Sequence, residues 1–436
     1  MKNTQHPASI LKGFNSLEKV FIGTLLIPLK ILRKALNLLA VISARSSSSI
    51  NLFIKRVKHP ANTRTKNNPA FELVRINELP GFTKIAEIKG GIENIFLPKI
   101  VGLSNGGFIS VNMPGDYLCK LDNVSFVPYS DFIRDENGHV ANEKLLRKEY
   151  DVLIPRDRDI IEIKGKVILL VKESNKTHLK VALNLMGTYS NNWAHFLAQH
   201  YPKLNFLNDL PKSEKINLLI PKNSDPHIRY LIKQELIGYP HIGILEVDIE
   251  SEIVCEKLFH VSLGTFLADD GYFPTPLECL ISNSTLKFWD KKAIELAPKN
   301  SKQWRRIFIG RTGNRSLKNY DEVLTYFRDK GFEEIFPHFL SMEDKIKVFS
   351  EAKYIVGPGS SGFANSIYSQ AGTKILAFIN SFRYLESYLV GISNYKKHEF
   401  WFMSGKDDNL EDMNSSYEIS LNEIKLFIEG NDFLYN

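Results

Sequence analysis

The chain has 436 residues, a length that suits two domains with appendages, and 43% hydrophobic and 24% charged residues are ordinary for a globular protein. Its net charge of +7 is concentrated, because residues 1–75 hold thirteen Lys and Arg against two acidic residues, which leaves −4 for the remainder. This distribution disfavours a nucleic-acid-binding body, and no nucleic-acid partner is predicted. Cys119, Cys255 and Cys279 lack metal or redox spacing and are typical of buried thiols in a reducing compartment.

Residues 1–68 predict a basic amphipathic segment followed by a linker. The apolar run Val20–Ile42 carries three cations near its centre. A spanning helix needs about 20 mostly apolar residues without central charges. Residues 10–58 are therefore expected to lie on an anionic membrane surface, which would make the protein cytoplasmic and peripheral on the inner face of the cytoplasmic membrane. A signal-anchor span and a helix docked on the protein's own surface remain alternatives.

Residues 69–285 predict a first α/β domain with a β-rich initial part. From Phe71 to about Glu143, short apolar runs of period two are broken by Gly and Pro, as in a series of strands. Farther on, buried strands at Asn217–Ile220 and Gly243–Val247 flank a helix at about Pro226–Leu236.

Residues 286–436 predict a second α/β domain. Four short apolar strands alternate with helices that have one polar face. The predicted strands are Arg306–Ile309, Glu334–Phe336, Tyr354–Val356 and Lys374–Ile379. Strands at this interval form a parallel, doubly wound sheet. A last helix is predicted from about Asn422, and it could cross back to the first domain.

Two loops of this second domain follow strands at their C-terminal ends, where open α/β sheets bind ligands. The first loop carries Arg311 and Arg315, and the second contains the candidate residues Gly359, Ser360, Ser361 and Gly362 ahead of a short helix. Guanidinium groups and a helix N-terminus together suit a diphosphate. Each loop alone is commonly just a solvated loop or a turn, but both at one sheet edge favour nucleotide binding.

His195 is the strongest candidate for proton transfer. It stands near the start of a short helix in the stretch NNWAHFLAQHYP. An imidazole there can take a proton from a substrate hydroxyl near neutral pH. The alternative is a histidine that bonds a loop carbonyl and braces the two domains.

No metal site is predicted. Asp269-Asp270 and Asp407-Asp408 do not follow buried strands as a Mg²⁺–diphosphate clamp requires, and His and Cys spacing gives no zinc site. The sequence therefore predicts a protein that needs neither a metal ion nor a cofactor.

The order of these motifs resembles glycosyltransferase family 61. The donor half of that family has, in order, a strand, an Arg, the pattern R-x-L-x-N, a helix, a Gly-rich turn followed by Asn, and a final strand. Arg315 to Asn319 fit the pattern R-x-L-x-N. The stretch TYSNNWAHFLAQHYPKL resembles the family's other motif. The resemblance covers residues 184–378, and departures at Pro358, Phe378 and Lys203 leave the donor's identity open.

The resemblance implies a fold of the GT-B type: two Rossmann-like domains facing a cleft, with the acceptor side in 69–285 and the donor side in 286–436. It implies inverting transfer of a sugar from a nucleotide-sugar to a glycan acceptor, in capsular or other surface polysaccharide biosynthesis. His195 would be the base and Arg311 would stabilise the leaving diphosphate. The residues implied in donor binding are Arg311, Arg315, Asn319, Gly359, Ser360, Ser361, Gly362 and Asn365.

Two other functions stay open at this point. The chain could be a non-catalytic nucleotide-sugar-binding scaffold in a polysaccharide assembly or export complex. It could also be an enzyme of a different nucleotide-dependent reaction such as epimerisation, which the lack of a G-x-G-x-x-G loop disfavours.

Overall fold

The computed structural model describes the greater part of the chain beyond residue 70. The described residues are 71–79, 81–127, 131–142, 160–163, 166–169, 176–187, 189–248, 251–267, 279–380, 387–409 and 414–434. The predicted membrane-associating residues 1–68 lie outside them. Of the described residues, those from 72 to 142 and from 176 to 434 belong to one compact unit, and Phe71 with residues 160–163 and 166–169 belongs to another.

The strands are short to medium in length and most are apolar at alternate or at all positions. In chain order they are β1 (Phe71–Val74), β2 (Thr83–Ile88), β3 (Gly91–Ile100), β4 (Ser104–Met113), β5 (Asp116–Phe126), β6 (Phe132–Asp135), β7 (His139–Asn142), β8 (Ile160–Ile163), β9 (Lys166–Leu169), β10 (Lys176–Asn184), β11 (Ile216–Pro221), β12 (Ile242–Val247), β13 (Glu252–Val261), β14 (Thr265–Leu267), β15 (Cys279–Ile281), β16 (Arg305–Ile309), β17 (Glu333–Ile335), β18 (Ala352–Pro358), β19 (Lys374–Ile379), β20 (Glu399–Ser404), β21 (Lys406–Asp407) and β22 (Tyr417–Glu418).

The helices begin mostly at side-chain N-caps. They are α1 (Trp193–His195), α2 (Pro226–Leu236), α3 (Asn283–Leu296), α4 (Tyr320–Arg328), α5 (Met342–Ser350), α6 (Ser387–Tyr395) and α7 (Leu421–Gly430). A π-helical turn (Phe196–His200) continues α1, and 3-10 helices span Ile76–Glu78, Tyr201–Asp209, Pro337–Phe339 and Ser361–Tyr368.

The first sheet of the larger unit has the order β12-β11-β10-β13-β5-β6-β7-β1, and β2 also pairs with β5. Its first four strands are parallel, whereas β5 runs antiparallel to β13. The β-rich part predicted from Phe71 to about Glu143 is present as strands, and β1, β2, β5, β6 and β7 of this part belong to the first sheet. In the smaller unit, β8 and β9 form an antiparallel hairpin.

The second sheet has the order β17-β16-β18-β19-β20-β3-β4. The strands from β17 to β20 are parallel, in agreement with the doubly wound sheet predicted from the sequence. Phe402 of β20 pairs with Ile100 of β3, so the hairpin β3–β4 extends this sheet. A hairpin from the predicted range 69–285 therefore belongs to a sheet made otherwise from the range 286–436, and the division at 285/286 stays a prediction.

The central strands of the second sheet, β16, β18 and β19, are buried on both faces. On β16, Ile307 and Phe308 point to opposite faces and enter different apolar clusters. The cluster that contains Ile307 also contains Phe196 and Leu218, which belong to the layer of the first sheet. The two sheets therefore share one continuous apolar core.

The last helix, α7, packs on the second sheet. Its apolar face, with Ile424, Phe427 and Ile428, lies in the same cluster as Phe327 and Phe378. The expectation that this helix crosses back to the first domain is therefore wrong. The cause is its amphipathic face, which covers the free side of the nearest sheet as soon as the chain leaves β22.

Candidate functional site

The second sheet has one position at which the direction of winding reverses. After β16 the chain adds β17 on one side, and then returns to add β18 on the other. In open α/β sheets such a reversal leaves a crevice at the strand C-termini, and ligands bind there. The loops that follow β16 and β18 are the two loops that carry the predicted donor residues.

Arg311 joins these two loops. Its Nη1 donates to the carbonyl oxygen of Gly359, and its Nε donates to the carbonyl oxygen of Asn314 at 2.8 Å. The half-buried guanidinium is thus fixed at the point where the sheet reverses. A guanidinium carries five N–H donors in a rigid fork, a geometry that matches phosphate oxygens.

The glycine-rich loop, Gly357 to Gly362, requires glycine where its backbone lies close to β16. Gly357 has a φ of +144°, and a Cβ there would lie 2.4 Å from the carbonyl oxygen of Ile309. Ser360 caps the following 3-10 helix, since its Oγ accepts from the N–H of Gly362 at 3.3 Å. Ser361, at the first position of that helix, is exposed. The loop therefore presents a helix N-terminus, where backbone N–H groups favour an anion.

Asn365 lies in the same 3-10 helix and is fully buried. Its Nδ2 donates to the carbonyl oxygen of Gly362 at 2.8 Å, and its Oδ1 accepts from Nε1 of Trp193 at 3.0 Å. The bond to Gly362 caps the turn that contains Asn365, while the implied part of Asn365 in donor binding stays a prediction. Asn365 thereby ties the glycine-rich loop to α1.

Arg315 and Asn319 lie on the far part of the first loop, against the C-terminal segment. Arg315 has a φ of +60°, which is rare for a residue with a side chain. Its backbone N–H donates to the carbonyl oxygen of Asn414 at 3.2 Å. The amide of Asn319 both donates to and accepts from the backbone of Ile419. Asn319 therefore holds that segment in place, while its part in donor binding stays a prediction.

The first sheet also reverses its winding, between β10 and β13. From β10 the chain adds β11 and β12 on one side, and β13 then pairs with the other side of β10. The segment that follows β10 leads into α1, where Asn192 caps the helix by accepting from the N–H groups of Ala194 and His195. The predicted base therefore lies beyond a strand C-terminus at the reversal of this sheet.

His195 is half-buried and its ring is held on two sides. Its Nδ1 lies 2.9 Å from Oε1 of Gln199, and its ring centroid lies 4.8 Å from that of Tyr189. Because an amide oxygen only accepts, this contact requires the proton on Nδ1 and makes Nε2 the nitrogen with the basic lone pair. Gln199 reaches the ring from the π-helical turn, a type of turn that is frequent at functional sites.

Residues 193–376 match the sequence model of the family Glycosyltransferase 61. These residues form a glycosyltransferase family 61 domain. The matched range contains His195, Arg311 and the glycine-rich loop, and it confirms the resemblance inferred from the motifs. The chain is accordingly a glycosyltransferase, and the family implies a nucleotide-sugar donor and a glycan acceptor. Among curated proteins, none matches the chain.

The family 61 domain contains a buried cation that the motif analysis missed. Lys345 of α5 is 2% exposed, and its Nζ lies 4.2 Å from the centroid of the Trp193 ring. Burial lowers the pKa of Lys345 to about 8, against an opposing effect of the Asp225 carboxylate. A sequence signal existed, because Lys345 shares a helical face with the inward residues Met342 and Phe349.

Two features are absent from the part of the chain that the structure describes. There, no group of three or more His, Cys, Asp or Glu side chains is placed to hold a metal ion. None of the helices in that part is long and apolar enough to cross a bilayer.

Proposed function

We propose that this family 61 domain transfers a sugar from a nucleotide-sugar to a hydroxyl of a glycan acceptor, with inversion and without a metal ion. The glycan would be a capsular or other surface polysaccharide. The observation that carries the proposal is the bond from Arg311 to Gly359, because it sets a guanidinium and a helix N-terminus side by side where the sheet reverses.

In this proposal the second sheet binds the donor. The diphosphate lies against Arg311 and the first N–H groups of the helix Ser361–Tyr368. When the bond between the anomeric carbon and the diphosphate oxygen breaks, its electron pair moves onto that oxygen. Arg311 stabilises the charge that grows there, which is the stage at which a fixed positive group lowers a barrier most.

The first sheet supplies the base. Nε2 of His195 takes the proton of the acceptor hydroxyl while the hydroxyl oxygen forms a bond to the anomeric carbon on the face opposite to the diphosphate. Attack from that face inverts the configuration. The GT-B arrangement of residues 69–285 and 286–436 around a cleft belongs to this proposal, because base and diphosphate must reach the same sugar from two sides.

A thermal-shift screen of nucleotide-sugars that differ in base and sugar tests donor binding, since a ligand that binds the folded state raises the melting temperature. We expect one group of donors to stabilise the protein, and Arg311→Ala to reduce that shift. Lys318→Ala is the matched control, because it removes an equal charge from an exposed cation that pairs with Asp408 in the same loop region. Equal loss in both variants would contradict a specific diphosphate site.

Product analysis tests the chemistry. With the donor identified, NMR of the glycan product should show the anomeric configuration opposite to that of the donor, and a chelator should leave turnover unchanged. Retained configuration or chelator sensitivity would overturn that part of the proposal.

The proposal includes attachment of residues 10–58 to an anionic membrane, with the protein on the inner face of the cytoplasmic membrane. Removal of residues 1–60 should release the protein to the soluble fraction without unfolding it. High salt should weaken attachment of the intact chain only in part, because apolar burial contributes as well. Resistance to alkaline carbonate would instead indicate a span.

A further inference from the structure

We propose that Lys345 is a positioning residue for the donor: its ammonium holds Trp193, and Trp193 holds Asn365 and the glycine-rich loop in the conformation that binds the diphosphate. This inference rests on the proposed function, and it adds a residue that lies outside the two strand-end loops.

The contacts form a chain from α5 to the loop. Nζ of Lys345 stands over the Trp193 ring at 4.2 Å from its centroid. The indole Nε1–H of Trp193 donates to Oδ1 of Asn365, whose Nδ2 donates in turn to the carbonyl oxygen of Gly362. A cation over an indole face is attracted by the ring quadrupole, and the attraction grows when the pair is desolvated. Each link therefore fixes the next one.

A purely structural role does not account for a lysine here. Burial of an ammonium costs free energy unless it is compensated, and an apolar side chain of the same size would fill the space without that cost. Among the ion pairs of the described residues, none includes Lys345. The cation is instead compensated by the ring of Trp193 and, at longer range, by the carboxylate of Asp225.

Other titratable groups lie on the elements that pack around this indole. His227 of α2 touches the edge of the Trp193 ring, at 5.8 Å between centroids, and its Nε2 lies 2.7 Å from the carbonyl oxygen of Leu340. Asp225 caps the same helix. Glu343 and Asp344 belong to the first turn of α5. His195 lies on α1 itself, and Tyr368 lies at the end of the 3-10 helix that packs on α5.

Binding of UDP, GDP, CDP and ADP, measured by calorimetry, tests the inference. Lys345→Met keeps the length of the side chain and removes the charge, and we expect it to weaken the best-bound nucleoside diphosphate about tenfold at pH 7. Lys345→Arg keeps a cation and should stay within about threefold of the unchanged protein. Trp193→Phe keeps a ring and removes the N–H, and it should weaken binding about fivefold.

The pH profile separates positioning from packing. As pH rises from 7 to 9 the unchanged protein should lose affinity toward the value of Lys345→Met, because Lys345 gives up its proton near pH 8. Lys345→Arg should show no such loss, since a guanidinium stays charged. The comparison of the unchanged protein with Lys345→Arg tests the inference even if Lys345→Met does not fold. Equal profiles in the two proteins, or unchanged affinity in a folded Lys345→Met, would overturn the inference.

An NMR titration gives a readout that needs no ligand. The chain has four Trp residues, and the indole N–H resonance of Trp193 is assigned by its loss in Trp193→Phe. It should shift with a midpoint near pH 8 in the unchanged protein and not in Lys345→Arg. Absence of the step near pH 8 would contradict the inference.

The calorimetry distinguishes failure of the inference from failure of the proposed function. If the unchanged protein binds none of the four diphosphates, the proposed function fails and the inference fails with it. If the unchanged protein binds a diphosphate and the variants bind it equally well, only the inference fails.

Discussion

The two sheets reverse their winding in the same way but place different side chains at the reversal. In the second sheet the loops after β16 and β18 carry Arg311 and a glycine-rich turn, so the backbone and a guanidinium face outward from the strand ends. In the first sheet the segment after β10 leads to a capped helix with His195, whose ring is held by Tyr189 and Gln199.

The difference teaches how one topology serves two kinds of chemistry. An anion site needs N–H donors and a fixed positive charge, which short loops and a helix start provide. A base needs one oriented nitrogen with a defined tautomer, which a hydrogen bond within one helical turn provides. Under the proposed function, the second sheet stabilises charge and the first sheet transfers the proton, and the following variants test that proposal.

The largest effect is expected from Arg311→Ala. It should lower turnover by about two to three orders of magnitude, because a positive group is lost where charge develops in the transition state. Nucleoside diphosphate affinity should fall as well, but by less. Steady-state kinetics together with calorimetry measure both quantities. A loss of affinity without a loss of turnover at saturating donor would limit Arg311 to binding.

His195→Ala should lower turnover by about two orders of magnitude, the usual contribution of a positioned base. Nucleoside diphosphate affinity should stay nearly unchanged, because the base acts on the acceptor. The two variants therefore distinguish the two sheets. Arg311→Ala should lower both diphosphate affinity and turnover, whereas His195→Ala should lower turnover alone. If His195→Ala keeps more than about a third of the turnover, His195 is a packing residue and the base is another group.

Gln199→Leu should lower turnover about tenfold, since it removes the acceptor that keeps the proton on Nδ1 of His195. Gln199→Glu is the matched control, because a carboxylate also accepts from Nδ1–H and keeps the same tautomer. We expect it to retain most of the turnover with an altered pH profile. Equal activity of all three proteins would show that the tautomer is fixed by other contacts.

The smallest effect on turnover is expected at His398, which lies outside both reversals. Burial, helped by the positive charge of Lys396, lowers its pKa to about 4 despite a contact with the carbonyl oxygen of Ser369. The unfolded chain binds this proton from about pH 6.5 downward, so the folded state loses stability as pH falls from 6.5 to 4, by at most about 3 kcal/mol.

His398→Gln removes this titration, and it should leave turnover at pH 7 unchanged. Urea unfolding at pH 7 and at pH 4.5 measures the difference. The variant should gain stability relative to the unchanged protein only at the lower pH. A gain of the same size at both values would indicate a packing effect.

Local signals predicted much of the fold. The strand Lys374–Ile379 and the helix Pro226–Leu236 have the bounds expected from their apolar runs and their Pro and Thr neighbours. Ser341 caps α5 through the N–H of Asp344, as the spacing of the two residues indicates. These element bounds and this cap depend on residues only a few positions apart, so the sequence alone predicts them.

Long-range pairing could not be predicted in the same way. A period-two pattern shows that Gly91–Ile100 is a strand, but not that its partner is β20. The bond from Trp193 to Asn365 joins residues 172 positions apart. The sequence does not predict that Lys345 is buried, because a lysine on a helix is usually solvated. In each case the feature depends on a residue that is distant in the sequence but close in the structure. A single sequence does not identify that residue.

The hairpin β3–β4 has a consequence for how the protein is made. It leaves the ribosome roughly 300 residues before β20, the strand on which it docks. At typical bacterial and eukaryotic rates of synthesis, about 5 to 20 residues per second, the hairpin waits on the order of 15 to 60 seconds with one edge unpaired. Conversely, a fragment of residues 286–436 alone would expose β20 as an open edge and tend to associate. Recombinant work on the donor half should therefore keep residues 91–113 in the same chain.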